Sequence, residues 1–449
     1  MPYGARLADA MTRRLGRECL YTPSARLALY LALRRWCRPG GRVLMSPVND
    51  DVILFVVLAA GLRPVQAPVS AADGNIDPAA VPETMWQGLD AVLTTNLYGM
   101  PDRVRELRTR CDRLGIPLFE DAAHAIGTHL DGQAVGTFGT AGAFSLGKHV
   151  QGMAGGFLAV GDARTRRELE RLRDDLLLPA RLRQDVATAL LPLARSAVRT
   201  LRLVRPVWRT AQRLGLLERD AFRMPLRAPR LTLSGTRAPG LPAYESWLRV
   251  DLHGYRDRHG PLVRGSLALR LAALDRDLAR RRTGVAALTG TSWASPALRA
   301  HLAHEGPLPL FRAPLLVEDR DALVDRLVRH GLVSGYLYDP PLDDYAGLEF
   351  TDPSPSPQAA RWFAAHVLPA DPRQAVRVIR ALEQEGVRPA RFVGSAQAGA
   401  VEGGVEGAAA GGAAGEGPAT GGAAGEGAAT GGAASEGSAL PPAPPPRTA

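Results

Sequence analysis

Short apolar runs separated by helix-length stretches fill the first 160 residues, and this alternation restricts the fold more than any other property of the 449-residue chain. GRVLMSP, LRPVQAP, DAVLTTN, IPLFEDAA and AGAFSLG each have strand length, and strands regained after a crossover helix run mostly parallel. Residues 24–36 have helical spacing, and residues 102–114 read as a charged amphipathic helix with Asp102 at the capping position. The predicted fold class is α/β, a mostly parallel sheet with flanking helices, plus a smaller α+β C-terminal domain. In that second part residues 267–282 read as one long helix, and 314–332 and 373–385 as strand and helix elements. Ligands of such sheets sit at the carboxyl ends of the strands, so chemistry is sought there.

Three segments are expected: a large domain over 1–235, a small domain over 236–392, and a tail over 393–449. The tail repeats GGAAGEGPAT, GGAAGEGAAT and GGAASEGSAL before ending in PPAPPPRTA, a composition with too little apolar surface to offset its ordering entropy. Within the large domain, residues 181–214 hold eight arginines and one acid, Asp185. They read either as an arginine-rich helical insertion packed on its own domain or as a basic surface for peripheral contact with a membrane or another anionic partner.

The longest apolar run, Val52 to Ala60, is far short of the roughly 20 residues that cross a bilayer, and the N-terminus has no apolar signal core. The expected location is cytoplasmic. Cys19, Cys37 and Cys111 have no metal or redox spacing, so neither a metal nor a disulfide framework is expected. The net charge of +10 would suit a nucleic-acid partner, but the arginines are spread along the chain without a recognition motif, and no nucleic acid is expected.

Lys148 is the only lysine; the other 54 of the 55 basic residues are arginine. The bland reading is an accidental surface residue, but in so lysine-poor a chain its place just past the strand AGAFS favours a function. In the chain order Ser24, Asp121, Lys148, these residues match what pyridoxal 5'-phosphate requires. A lysine amine holds the cofactor aldehyde as an imine. A carboxylate, here Asp121 at the end of IPLFED, keeps the ring nitrogen protonated so that the ring accepts electrons; otherwise Asp121 is a helix cap. His124 lies three residues on, to brace the ring or to serve structurally. For the phosphate, Ser24, Ala25 and Arg26 open a helix whose free N–H groups and positive end attract anions, and Ser145 adds a hydroxyl.

These residues resemble the DegT/DnrJ/StrS sugar aminotransferases, fold-type I pyridoxal phosphate enzymes, over about residues 15–390. The segments that carry the likeness are TPSARLALYLAL, GNIDP, NLYGMP, EDAAHAIG, KHVQGMAGG, LAALDRDLARRR, YDPPLDDY and AARWFAAHVLPADP. The resemblance implies that Lys148 is the Schiff-base lysine and proton shuttle, Asp121 the partner of the pyridine nitrogen, and His124 a ring contact. It implies that Ser24, Ala25, Arg26 and Ser145 form the phosphate cradle, and that Asn96, Tyr98 and Arg258 lie on the substrate side. It further implies a homodimer with shared active sites that moves an amino group from an amino-acid donor, glutamate by expectation, to a keto sugar, nucleotide-linked by expectation. Ser145 and Lys148 stand two residues closer than the family spacing, Ala154 replaces a glutamate, Asn96 replaces a histidine, and residues 47–51 hold no aromatic to stack on the cofactor. Two alternatives remain open: a sugar dehydratase on the same cofactor, whose relatives carry histidine in place of the lysine, and a non-catalytic scaffold.

Overall fold

Seven strands of the computed structural model join into one sheet in the order β1-β9-β8-β5-β4-β2-β3. Residues 4–150, 154–190, 223–226, 229–232, 240–250, 254–335 and 337–392 are described; the expected tail and residues 191–214 of the arginine-rich stretch lie outside them. The five anticipated strands are β2 (Arg42–Met45), β3 (Arg63–Gln66), β4 (Ala91–Thr95), β5 (Leu118–Asp121) and β8 (Ala141–Ser145). All five are parallel neighbours. The other edge was not anticipated: β9 (Gly156–Val160) runs antiparallel to both β8 and β1 (Glu18–Thr22). A ten-residue link from β8 to β9 is too short for a full crossover, so the chain reverses. A two-residue hairpin of β6 (His129–Leu130) and β7 (Gln133–Ala134) lies between β5 and β8.

The helices of this half follow their patterns. α1 (Ala5–Leu15) buries Leu7, Met11 and Leu15, spaced four apart. α2 (Ala25–Trp36) begins at Ser24, whose side chain accepts from the Leu27 N–H. α3 (Asp51–Ala59) is apolar all round and accordingly buried all round, with Asp50 capping it through the Val52 N–H. Short α4 (Glu83–Gln87) precedes β4, and α5 (Val104–Leu114) joins β4 to β5. Asp102 does not cap α5 as expected. Its carboxylate is buried, accepting from the Thr94 hydroxyl and the Arg103 N–H. α6 (Leu146–His149) is a single turn after β8, and α7 (Ala163–Leu176) follows β9.

The helix expected over 267–282 is broken at Ala273 (φ −93°, ψ 0°) into Pro261–Ala272 and Leu274–Thr289. Leu267 and Leu271 of the first half share one core with Leu274 and Leu278 of the second, while Val285 and Leu288 further on enter a second core, so the second helix serves both. Beyond them β10 (Ala313–Leu316) pairs antiparallel with β11 (Val367–Ala370), and Leu288, Leu298, Leu315, Leu323, Leu368 and Leu382 form the core around this pair. Residues up to Phe392 make one compact unit.

In residues 181–190 the side chain of Asp185 is buried and accepts from the Gly260 and Leu262 N–H groups, while Leu182, Val186 and Leu190 are exposed at four-residue spacing. Among the described residues no helix is long and apolar enough to cross a membrane.

Candidate active site

Strand register creates the site. Thr95 of β4 is paired with Asp121 of β5, and Asp121 with Ala143 of β8. The carboxyl ends of three adjacent strands therefore carry Asn96, Asp121 and, one turn past β8, Lys148.

Asp121 is buried, and its carboxylate accepts the Ala123 N–H at 3.0 Å through Oδ1. Burial pushes its carboxyl up to about 6; the Ala123 N–H pulls down, Asp50 pushes up, and Lys148 pulls down. Lys148 and Asp50 are thus near enough for their charges to be felt at Asp121. Lys148 is partly buried, and its Nζ lies 5.9 Å from the Phe311 ring centroid. His124 is buried and stacks on Phe311 at 4.6 Å and 20°, and burial, reinforced by Lys148, His149, Arg312 and Arg281, holds its pKa well below the ordinary histidine value. His124 and Lys148 thus share the Phe311 ring, with Asp121 at the end of the strand beside the one that leads to Lys148.

The phosphate candidates divide. The Ser24 hydroxyl is already engaged: it caps α2 and donates to the Tyr255 carbonyl at 2.8 Å. Arg26 turns away, donating to the Leu248 carbonyl at 2.5 Å and lying over the Tyr255 ring. Ala25 stands at the start of α2, where β9 comes so close that a Cβ on Gly156 would lie 2.5 Å from the Ala25 nitrogen. The Gly155 N–H donates to the Pro23 carbonyl at 2.7 Å. The two glycines therefore seat β9 flat against the helix end, beside Ser145, which is partly exposed and paired with Gly156.

The substrate-side candidates are not on an open wall. Asn96 is fully buried; its Oδ1 accepts the Asp102 N–H and its own N–H donates to the Asp121 carbonyl. Tyr98 is also fully buried, near-parallel to His124 and to Tyr338. Arg258 packs beside α7, its guanidinium 3.8 Å from Asp174 and its N–H on the Leu178 carbonyl.

Phe311 was missed by sequence reasoning. It comes from the loop before β10, some 160 residues beyond Lys148, and its ring lies against His124, His149, Lys148, Arg281 and Arg312. Residues 47–51 hold no aromatic, and the rings grouped with His124 are those of Phe311 and, through Tyr98, Tyr338. Nothing in LPLFRAP marks Phe311, because its role depends on a contact made after folding. Arg281 is fully buried, held by Asp277 and by the Leu310 and Phe311 carbonyls.

Residues 5–178 match the model of the DegT/DnrJ/EryC1/StrS aminotransferase family. That span contains Asp121, His124, Lys148 and the α2 start. Among curated relatives, the L-glutamine:2-deoxy-scyllo-inosose aminotransferase of Streptomyces paromomycinus is 32% identical over 174 residues, which is 38% of this chain and 41% of the relative. The UDP-N-acetyl-3-dehydro-alpha-D-glucosamine 3-aminotransferase of Acidithiobacillus ferrooxidans is 30% identical over 151 residues, 33% of this chain and 41% of the relative. The match thus covers about two-fifths of these relatives. The fold likeness extends further: S. venezuelae DesV superimposes with a TM-score of 0.56 at 21% identity, covering 87% of this chain and 91% of that one.

Proposed function

We propose that this chain is a pyridoxal 5'-phosphate-dependent aminotransferase that moves an amino group from an amino acid, glutamate or a close analogue, to a keto sugar or related polyhydroxy ketone. The observation that carries the reading is the convergence of the only lysine with a buried, under-compensated carboxylate and a histidine held neutral, inside the stretch that matches the family model. The names of the relatives support the substrate class.

The residues fit the cofactor best at its ring end. Asp121 is a carboxylate whose burial is poorly compensated, the environment a protonated ring nitrogen would neutralise. At the phosphate end the fit rests on the first turn of α2, where Gly156 puts no side chain, with the Ser145 hydroxyl beside that glycine. Ser24 orders that turn as its cap, and Arg26 braces it through Leu248 and Tyr255.

When bound, the cofactor supplies an electron sink for the carbanion left by proton loss at the donor's α-carbon. In this reading Lys148 Nζ removes and returns that proton, Asp121 holds the proton on the ring nitrogen, and His124 and Phe311 close the apolar wall that excludes water. The presence of Lys148 favours amino transfer over the dehydratase reading. A cytoplasmic homodimer belongs to the same proposal, as does a peripheral anionic-membrane contact near residues 181–190.

The test uses the chain's lone lysine. Protein incubated with pyridoxal phosphate and reduced with borohydride should carry one phosphopyridoxyl group, on the peptide containing Lys148, and Lys148→Ala should carry none. Labelling only at the N-terminal amine, or none in the wild type, would defeat the proposal. A panel of keto sugars with glutamate, read by mass spectrometry, then assigns the acceptor.

A further inference from the structure

We propose that Tyr98 is the positioning residue of this site: its left-handed backbone aims its carbonyl at the Phe311 loop while its ring lies along His124, so one residue sets both rings beside Lys148. The proposal deepens the aminotransferase reading and takes its chemical meaning from it, but the geometry stands independently.

Tyr98 is one of three non-glycine residues with positive φ among the described residues, at φ 58° and ψ 6°. For a residue with a Cβ that conformation costs about 1–2 kcal/mol, and it persists only where the surroundings over-determine it. Here they do. Before it, the Leu97 N–H is held by Asn75 Oδ1, and across it the Asp102 N–H donates to Asn96 Oδ1. After it, the Gly99 carbonyl accepts from the Thr128 hydroxyl at 3.1 Å, and any Cβ on Gly99 would lie 2.5 Å from the His124 carbonyl oxygen.

The strain has two consequences, both at the site. The Tyr98 carbonyl accepts from two successive N–H groups, Phe311 at 3.0 Å and Arg312 at 3.2 Å, which anchors the loop that carries the Phe311 ring to His124 and Lys148. Its own ring lies 6.5 Å from His124 at 7° and 5.9 Å from Tyr338 at 11°. An extended backbone at residue 98 would turn the carbonyl away from Phe311. A residue serving only to fill space would not need the left-handed conformation.

The experiment uses the full chain, free of cofactor, labelled at histidine Cε1; the His124 signal among nine histidines is assigned with His124→Gln. The groups acting on His124 are Lys148 and His149 from α6, Arg281 from the helix Leu274–Thr289, and Arg312 from the Phe311 loop. In the wild type the His124 signal should be ring-current shifted and static from pH 5 to 8. Tyr98→Phe should keep both properties. Tyr98→Gly accepts positive φ and should lose only the Tyr98 ring's share of the shift. Tyr98→Val resists positive φ and should lose the Phe311 share as well. If the valine variant does not fold, Tyr98→Asn against Tyr98→Ala gives the same contrast of tolerance for the left-handed region. A wild-type signal that titrates like a free histidine overturns the proposal, and so do glycine and valine variants with identical shifts. A protein that passes this test yet takes no pyridoxal phosphate refutes the aminotransferase reading alone.

Discussion

Replacing Asp121 by asparagine separates what the carboxylate does for chemistry from what it costs in stability. Its carboxyl ionises near 3.8 when unfolded and at about 6 in the folded chain, chiefly because of burial. The folded-state value is the higher one, so stability from this group is complete below pH 3.8 and is lost as the pH rises through 6. Two units at 1.36 kcal/mol each put that loss at about 3 kcal/mol above pH 7. Asparagine keeps an oxygen for the Ala123 N–H and carries no charge to desolvate. Cofactor-free Asp121→Asn should therefore be more stable than the wild type at pH 7.5 by up to about 3 kcal/mol, with the difference fading between pH 6 and 4. Urea midpoints measured across that range read it directly. The same variant should lose on the order of 10²-fold or more in amino transfer, since it removes the carboxylate proposed to partner the ring nitrogen. A variant that is less stable at pH 7.5, or a difference that does not change with pH, would refute the reasoning.

Lys148→Arg should fold, keeping a cation beside Phe311, yet develop no visible absorption with pyridoxal phosphate; a wild-type spectrum from this variant contradicts the assignment of the lysine. Gly156→Ala should cost about 1–3 kcal/mol, because its Cβ would meet the start of α2, and should weaken cofactor binding as well, read by thermal melts with and without pyridoxal phosphate. Arg320 is buried and held by Asp321, Asp339 and the Ala364 carbonyl; Arg320→Ala should destabilise by about 3 kcal/mol in denaturant titration. Sedimentation with anionic vesicles should fall when Leu182 and Leu190 are both changed to serine, and equal binding to neutral vesicles would count against an electrostatic contact.

Much of the site was legible before folding because its chemistry is carried by residue types in chain order. A lone lysine after AGAFS, an aspartate closing IPLFED and a helix opened by Ser24 are local signals, and the parallel core strands follow from their spacing along the chain. The reversed β9, the break at Ala273 and the displacement of Asp102 from its cap were not legible. Each reflects competition between a local preference and burial, and burial is known only when the partners are in place.

The amino-acid order alone determined that one side-chain amine exists, and that it and Asp121 each follow directly on an apolar strand. Only the tertiary structure decided that Asp121 is desolvated, that Arg26 and the Ser24 hydroxyl are occupied elsewhere, and that Phe311 comes to rest on His124. Those outcomes depend on contacts between residues more than a hundred positions apart, and no local propensity encodes which distant ring or carbonyl a side chain will meet.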